Sequence, residues 1–452
     1  MEHRPDIQGP PPGCPAHGNM QLYGPQFGAD PESHYTHLRS LGPSAPVDVA
    51  PGVEVELVTS YEAAKWILQN PATFVRDARR WNALQEGRVP EDSPALPMMG
   101  YRPNALFSDG AAHGRLREAV TDSLAPVNSL HLARRTRQSA DYLISRFSSD
   151  RLGEAELMAE YAQPLPLLVF SDLFGCPPEI GDRIITGISG IFAGTAGADD
   201  KLAEALTDLI ALKHRRPGDD VTTRLMQHSA QLSDEEVMHQ LVTLLSGGTT
   251  PLTGTIGTAS ALMLSDDWQT DRPVEDAVTE VLWNYAPIAN YAGHYPTQDV
   301  ELGGRVLKAN NPVLISFAAA NTDPQLAEHR EQLSAKAHLA FGAGPHACPA
   351  KDPALTIAVT AVEALLNHLP DISTRVPLKD LNWVPAPWSR VLEELPVRFT
   401  PRPVAQAPTP SPAPQAAAPA ATTPVTHRST ASSGPKPKPG LWSKFLAWTR
   451  GE

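Results

Sequence analysis

The chain has 452 residues and a formal net charge of −13 at pH 7, and such an acidic balance argues against nucleic acid as a partner. Its three cysteines, Cys14, Cys176 and Cys348, lie too far apart to indicate a disulfide framework. A polar N-terminus without a signal-peptide pattern, and the lack of any run of 18 apolar residues, predict a cytoplasmic protein with one core of about 400 residues and a tail.

The first predicted elements lie in the N-terminal quarter of the chain. Residues 1–20 are polar and proline-rich, so we expect a disordered lead. Val53–Val58 alternates between apolar and polar residues and predicts a strand, and Tyr61–Asn70 has helical periodicity. Residues 80–104 hold many prolines and glycines, so we expect a long loop of the kind that covers a pocket.

Helical periodicity dominates residues 111–357. Strand-like runs interrupt it at residues 300–317, around turns rich in glycine and asparagine. Leu392–Phe399 predicts a final strand, which places the end of the globular part near residue 400.

The C-terminal tail differs in composition from everything before it. Residues 401–440 contain eleven prolines among Ala, Thr, Ser and Gln; they cannot bury enough apolar surface to fold, and they predict a semi-extended linker. Residues 441–452 form a short basic amphipathic segment, whose apolar face would contain Leu441, Trp442, Phe445, Leu446 and Trp448.

Such a segment predicts docking on a membrane surface or a protein partner through residues 441–450, which would place the protein peripherally at the membrane. The alternative is a terminus that frays without function. A helix this short is unstable alone in water, so any function requires a surface against which it can fold.

One cysteine-containing loop carries the most specific chemistry. Residues 341–350 read Phe-Gly-Ala-Gly-Pro-His-Ala-Cys-Pro-Ala, and a helical pattern, Asp352–Leu366, follows. Glycine allows a tight turn, and Pro349 suits the first position of the next helix. Cys348 would then lie at a helix N-terminus, where free amides and the helix dipole favour the thiolate, the form that ligates haem iron.

This loop resembles the haem-ligand loop of the cytochrome P-450 superfamily, Phe-Gly-x-Gly-x-His-x-Cys-x-Gly, with Ala350 in place of the last glycine. The alternative is an ordinary buried cysteine after a glycine-rich turn. The resemblance covers about residues 21–400 and implies the mainly α (α+β) cytochrome P-450 fold, with a large helical domain and a smaller β-rich region. It also implies haem b between a long central helix and the cysteine loop, with Cys348 as iron ligand and Phe341 among the cofactor-binding residues.

Histidines and an arginine elsewhere in the chain match positions that hold the haem propionates in this superfamily. His113 and Arg117 lie four residues apart, so they share one helix face and can hold a carboxylate; the alternative is a solvated basic face. The resemblance implies propionate binding by both, by His346 and by His294. We expect a weaker contact from His294, because a neutral imidazole stands where many relatives have arginine.

A second match lies in the long helical pattern from about residue 234 to 264. Pro251 cannot donate to the carbonyl of Gly247, so the helix should open locally there. The resemblance implies that this opening holds dioxygen and that Thr250 is the catalytic hydroxyl. Thr249 replaces the acid that usually precedes it, and a hydroxyl cannot relay protons as a carboxylate can. The alternative is a kinked core helix without chemistry.

The sequence departs from the superfamily at its Glu-x-x-Arg motif. After Glu280, the arginine position holds Trp283 or Asn284, depending on the register. A charged, buried Glu280 without its partner would be costly, so we expect it to be protonated or bonded to neutral groups. The resemblance here is to an atypical actinobacterial branch that lacks the arginine.

These features favour a haem-thiolate monooxygenase. It would insert one oxygen atom from dioxygen into a small organic substrate, with electrons from a ferredoxin and its reductase. Arg115 and Lys351 are candidates for a basic patch near the loop that docks an acidic ferredoxin. Peroxide-driven oxygenation is a variant that needs no proton relay.

The competing hypothesis is a haem-binding sensor or scaffold of a membrane-associated signalling complex, with little or no oxygenase activity. It is motivated by Thr249, by the missing arginine after Glu280 and by the amphipathic tail.

Overall fold

The computed structural model of the chain describes residues 19–149, 152–192, 195–266, 268, 272–327, 330–401 and 440–451. Most of the predicted lead and almost all of the predicted proline-rich linker therefore fall outside the described residues. Within these ranges, every helix is too short or too polar to cross a bilayer.

The N-terminal part alternates between short helices and strands. Its elements are β1 (Met20–Gln21), α1 (Gly24–Ala29), α2 (Pro31–Ser40), β2 (Ser44–Ala50), β3 (Val53–Val58), α3 (Tyr61–Gln69), β4 (Phe74–Val75), α4 (Asn82–Gln85) and α5 (Leu96–Met99). The strand and the helix predicted at residues 53–70 are confirmed. Residues 80–104, predicted as a loop, instead contain α4 and α5, and the indole of Trp81 anchors the segment in the core with 1% exposure.

The central part is helical, as the periodicity predicts. Its elements are α6 (Gly110–Leu124), α7 (Ser129–Ser148), β5 (Glu154–Glu156), α8 (Pro164–Leu173), α9 (Pro178–Phe192), α10 (Ala198–Arg215), α11 (Val221–Gln227), α12 (Asp234–Met263) and α13 (Val274–Asn284). A π-helical turn at Met158–Ala162 precedes α8. The N-terminus of α12 is fixed by a reciprocal capping box between Ser233 and Glu236.

The C-terminal part returns to short strands around one further long helix. Its elements are β6 (Asn290–Pro296), β7 (Val300–Leu302), β8 (Arg305–Leu307), β9 (Val313–Ser316), α14 (Phe317–Asn321), α15 (Pro324–Ala327), α16 (Lys351–His368), β10 (Ser373–Thr374), β11 (Pro396–Arg398) and α17 (Leu441–Thr449). The strands predicted within residues 300–317 are confirmed. The predicted final strand is shorter than expected and spans only Pro396–Arg398.

The strands form a mixed sheet in the order β1-β2-β3-β9-β6-β4, a three-stranded sheet β10-β11-β5 and the β7-β8 hairpin. The described residues bury two apolar clusters, one mainly helical and one at the mixed sheet. Helix α12 runs through the helical cluster and packs against α8, α10, α13 and α16. Because the cysteine loop leads directly into α16, this packing brings the loop to one side of α12.

Candidate functional site

The cysteine loop is held by backbone contacts that demand glycine. Gly342 and Gly344 both have φ of +67°, and a Cβ on Gly344 would lie 2.1 Å from the carbonyl oxygen of Leu68. The amide of Cys348 donates to the carbonyl of Phe341 at 2.8 Å and closes the loop. The loop therefore holds Cys348 in one fixed position against α3.

The end of the loop differs from the sequence prediction in one detail. Helix α16 begins at Lys351 with Ala350 as its N-cap residue, so Pro349 lies before the helix and not at its first position. Ala350 has φ of −107°, an ordinary conformation for any residue with a side chain. The replacement of the family glycine by Ala350 is therefore accommodated without strain.

Burial opposes the thiolate that the helix terminus was expected to favour. Burial raises the pKa of the Cys348 thiol, while the backbone amide of Ala350 and the charges of Arg117 and Lys351 act to lower it. Burial is the largest of these effects, whereas the amide at the helix terminus acts in the expected direction. A metal ion changes this balance, because it deprotonates a coordinating thiol.

His113 and His346 meet directly beside the loop. Their ring centroids lie 4.0 Å apart, although one residue is on α6 and the other precedes Cys348. Burial, followed by the charges of Arg76, His113 and Arg117, lowers the pKa of His346 to about 2. Burial likewise lowers the pKa of the Arg117 guanidinium, and the charges of Cys348 and Tyr291 oppose that shift. The structure thus brings together three of the predicted propionate residues and Cys348.

Arg76 joins this cluster although no sequence motif points to it. It follows β4 and is only 1% exposed. Its guanidinium donates to the His294 ring at 3.3 Å and lies 4.5 Å from the centroid of the Tyr291 ring. Burial and the nearby Arg76 hold the pKa of His294 well below its usual range. His294 is therefore neutral, and the cation on this side of the cluster is Arg76.

The cluster brings cationic and hydrogen-bonding groups together, with Arg76, His113 and His294 buried and Arg117 and His346 half-buried. His113 Nε2 is buried without a hydrogen-bond partner among the described residues. The carboxylate of Asp109 is close, but its oxygens already accept the backbone amides of Arg76 and Asp77 at 2.9 to 3.0 Å. A ligand with its own carboxylates suits His113 Nε2 and the nearby guanidinium of Arg117. Haem b has two propionates and takes a thiolate ligand, so the residues present fit it.

Helix α12 does not open at Pro251, so the predicted local opening is wrong. The helix is continuous through Pro251, whose missing N–H leaves the Gly247 carbonyl without its helical partner. A Cβ on Gly247 would meet nothing within 4 Å, whereas one on Gly248 would lie 2.6 Å from the Phe170 ring of α8. Gly247 therefore faces open space, and Gly248 allows α8 to pack closely against α12.

The two threonines that follow differ in their surroundings. The hydroxyl of Thr249 is buried and donates to the Leu245 carbonyl at 2.7 Å. Thr250 is half-buried, and within the described ranges its hydroxyl has no hydrogen-bond partner. The Thr249 hydroxyl thus uses its proton in a hydrogen bond within α12, whereas the Thr250 hydroxyl remains available to a ligand.

Neutral groups surround the unpaired acid of α13. The side-chain amide of Asn284 donates to the carboxylate of Glu280, and the Asn284 oxygen accepts from Arg330 at 2.9 Å. This bears out the expectation that Glu280 is bonded to a neutral group, although the side chain is half-buried and not fully buried. Trp283, at one of the two possible arginine positions, packs under the Arg330 guanidinium at 4.7 Å.

The two basic residues suggested for partner docking have different contacts. Arg115 forms an ion pair with Glu236 and donates to the Ala230 carbonyl at 3.0 Å, so its charge is used within the protein. Lys351 lies 5.6 Å from the centroid of the Phe341 ring and is half-buried beside the loop. Lys351 is therefore the better placed of the two to meet a partner.

Comparisons with known proteins agree with this geometry. The chain is 31% identical to cytochrome P450 monooxygenase PikC of Streptomyces venezuelae over 400 residues, which cover 84% of this chain and 94% of that protein. It is 29% identical to cytochrome P450 107B1 of Saccharopolyspora erythraea, over 82% of this chain and 96% of the relative. The chain belongs to the cytochrome P450 family. No family model matches the chain.

The solved structures extend the match to the fold. CYP154C4 from Streptomyces sp. W2061 superposes with a TM-score of 0.76 at 26% identity, over 84% of this chain and 98% of that one. The predicted cytochrome P450 fold is thus confirmed. The relatives are P450 monooxygenases, so this P450 is an oxidoreductase of that class, with haem b as its cofactor.

Proposed function

We propose that this P450 is a haem-thiolate monooxygenase that inserts one oxygen atom from dioxygen into a small organic substrate, with electrons from a ferredoxin-type partner. The observation that supports it most strongly is the cluster around the Cys348 loop, in which Arg76 and His113 are buried and Arg117 and His346 half-buried. The positive charges of Arg76 and Arg117 beside the loop suit an anionic cofactor.

Each residue of the cluster has a distinct part in holding the cofactor. Cys348 would bind the haem iron, and it is positioned by the glycine turns and by the amide contact with Phe341. Arg117, His113 and His346 would bind propionate oxygens. Arg76 supplies the positive charge that His294 lacks, and the His294 ring positions the guanidinium.

Haem with a thiolate ligand supplies the oxygen-activating chemistry when bound. Thr250 holds a proton at its Oγ1 on the open side of α12, next to the exposed Gly247. The Gly247 carbonyl, freed by Pro251, can hold a water molecule beside it. The Thr250 hydroxyl could donate its proton to a reacting oxygen and regain one from that water, so that no carboxylate need touch the reacting oxygen.

The reduced, CO-bound absorption spectrum of the purified haem-loaded protein tests this function. A strongly red-shifted Soret band after dithionite would identify the Cys348 thiolate as ligand. Reduction by a ferredoxin system and product formation from candidate small organic substrates would then establish the monooxygenase. A spectrum typical of a histidine or neutral ligand would contradict the assignment.

One observation favours the second candidate, a haem-binding sensor or scaffold. The Thr249 hydroxyl, at the usual acid position, is buried and bonded to Leu245, so it does not connect the site to solvent protons. Thr250→Ala should raise peroxide release per electron pair in an oxygenase, whereas Thr249→Val serves as the matched control. If neither substitution changes oxygen consumption or peroxide release, the sensor function is favoured.

A further inference from the structure

The C-terminal helix α17 packs on the chain's own domain. It lies in a surface formed by α7, the α8–α9 turn and α9, which we call the tail groove. Trp442 is 2% exposed and Phe445 1% exposed. The solvent face carries Lys444. The apolar face, predicted to dock on a membrane or a partner, is therefore largely covered by the domain itself.

A single acid in the groove caps the helix. The Asp182 carboxylate accepts the backbone amides of Gly440 at 3.0 Å, Trp442 at 2.7 Å and Ser443 at 3.2 Å, and also the Ser443 hydroxyl. These amides lie at the start of α17, where backbone N–H groups have no hydrogen-bond partner within the helix. Asp182 is on α9, so the cap ties the tail to that helix.

The groove is shaped for an indole ring. The Trp442 Nε1 donates to the Cys176 carbonyl at 3.0 Å in the α8–α9 turn, and a Cβ on Gly181 would lie 2.2 Å from the ring. Tyr142 of α7 meets Phe445 edge-on with ring centroids 5.4 Å apart. An aromatic anchor, a matching glycine and a polar cap together define a specific site and not a chance contact.

We propose that the tail groove is the binding site for this chain's own C-terminal helix, and that the docked helix fixes α9 and so slows ligand entry to the site on α12. A nine-residue helix is not stable alone in water, so α17 folds only on a surface. Its attachment through a tether of about forty residues gives it an effective concentration on the order of millimolar, which favours its own domain over other partners.

The position of α9 links the tail groove to α12. Among the described elements, α9 packs mainly against α10 on one side and α17 on the other, and α10 packs against α12. The α8 residue Phe170, four residues before the α8–α9 loop begins, lies against Gly248 of α12. Release of α17 would remove one of the two supports of α9 and loosen the α8–α9 corner. This part of the inference rests on the proposed haem site.

Hydrogen exchange of the haem-loaded full-length protein tests the docking. Trp442→Ala and Asp182→Asn should accelerate exchange of the α17 amides at least tenfold, whereas Lys444→Ala, on the solvent face, and Glu179→Gln, exposed one turn before Asp182, should not. Unprotected α17 amides in the wild type would overturn the proposal. Protection that rises with protein concentration would also overturn it, because the occupant would then be a second copy. Loss of protection on adding phosphatidylglycerol vesicles would instead assign the helix to a membrane.

Stopped-flow binding of imidazole to the ferric haem tests the effect on ligand entry. The two docking variants should bind at least twofold faster than wild type and the two controls at the wild-type rate. Equal rates for all five proteins would overturn the effect on α9. The exchange experiment does not depend on the iron ligand, so failure of the docking and failure of the haem-thiolate assignment are distinguishable.

Discussion

At the scale of single residues, buried histidines dominate the pH response that we expect. His338 is 7% exposed, and its ring lies 5.8 Å from the ring centroids of Trp283 and Phe341. Burial, with a smaller effect from Lys351, lowers the pKa of His338 to about 4. The folded protein therefore keeps this ring neutral at pH values where the unfolded chain would protonate it.

The free energy of unfolding should consequently fall as the pH falls from 6.5 towards 4. Each such histidine contributes about 1.4 kcal/mol per pH unit over this range. We expect His338→Leu to remove the contribution of His338, so that between pH 7.5 and pH 4 the free energy of unfolding falls by about 3 kcal/mol less in the variant than in wild type. Urea unfolding of the haem-loaded proteins at several pH values measures it. The exposed His131 provides the control, His131→Gln, and an unchanged slope in His338→Leu would contradict the assignment.

Arg76 should contribute strongly to haem retention. It is the buried cation beside the neutral His294, and a charge-assisted hydrogen bond of this kind contributes about 1.5–3 kcal/mol. Arg76→Ala should therefore raise the rate of haem transfer to an apomyoglobin acceptor about 10- to 100-fold, and Arg76→Lys should restore part of the loss. Arg79→Ala is the matched control, because that side chain is 64% exposed. Equal haem-transfer rates for both alanine variants would show that Arg76 does not help to hold the haem.

At the scale of elements, α13 is joined to the segment before the cysteine loop through Trp283 and Asn284. Trp283 is buried, donates its Nε1–H to the Ala335 carbonyl at 2.8 Å and lies beneath Arg330. Asn284 meanwhile connects Glu280 with Arg330. Aromatic packing and neutral hydrogen bonds thus connect α13 to the segment before the cysteine loop.

Restoring an arginine at this point should not stabilise the protein. Trp283→Arg would remove a buried ring and place a second guanidinium near Arg330, with an expected loss of about 3 kcal/mol. The double variant Trp283→Arg, Arg330→Leu should recover part of this loss, because the like charge is gone. Thermal unfolding of the haem-loaded proteins compares them. A single variant more stable than wild type would show that Trp283 has no such role.

Local patterns predicted the elements that depend on local chemistry. Residues 53–70, the helix α12 and the cysteine loop each carry their periodicity or glycine spacing within a few residues, and the structure contains all three. Arg76 was missed because its role depends on β4 lying beside β6, a pairing between residues far apart in the chain. The helices in residues 80–104 were missed because each has only four residues, too few to show helical periodicity among the prolines and glycines.

At the scale of the whole molecule, the C-terminal helix packs on the domain that precedes it in the chain. Helix α17 lies more than forty residues after β11 in the sequence, yet it packs on α7, α8 and α9 from the first half of the chain. The sequence indicates the amphipathic face correctly but not the surface that covers it, because a receptor for an apolar face has no local signature. The separation of the tail groove from the cysteine loop leads us to expect that Trp442→Ala leaves the CO-bound spectrum unchanged. An altered Soret band in that variant would contradict it.

Docking of α17 in the tail groove also makes the reactivity of one thiol a measure of whether the helix is bound. Cys176 lies in the α8–α9 turn whose carbonyl accepts from Trp442, and burial raises the pKa of its thiol to about 12. Alkylating reagents should therefore modify Cys176 very slowly while the tail is in place, and faster whenever it leaves. The yield of alkylated Cys176 peptide over time would therefore record how often the tail opens inside living cells.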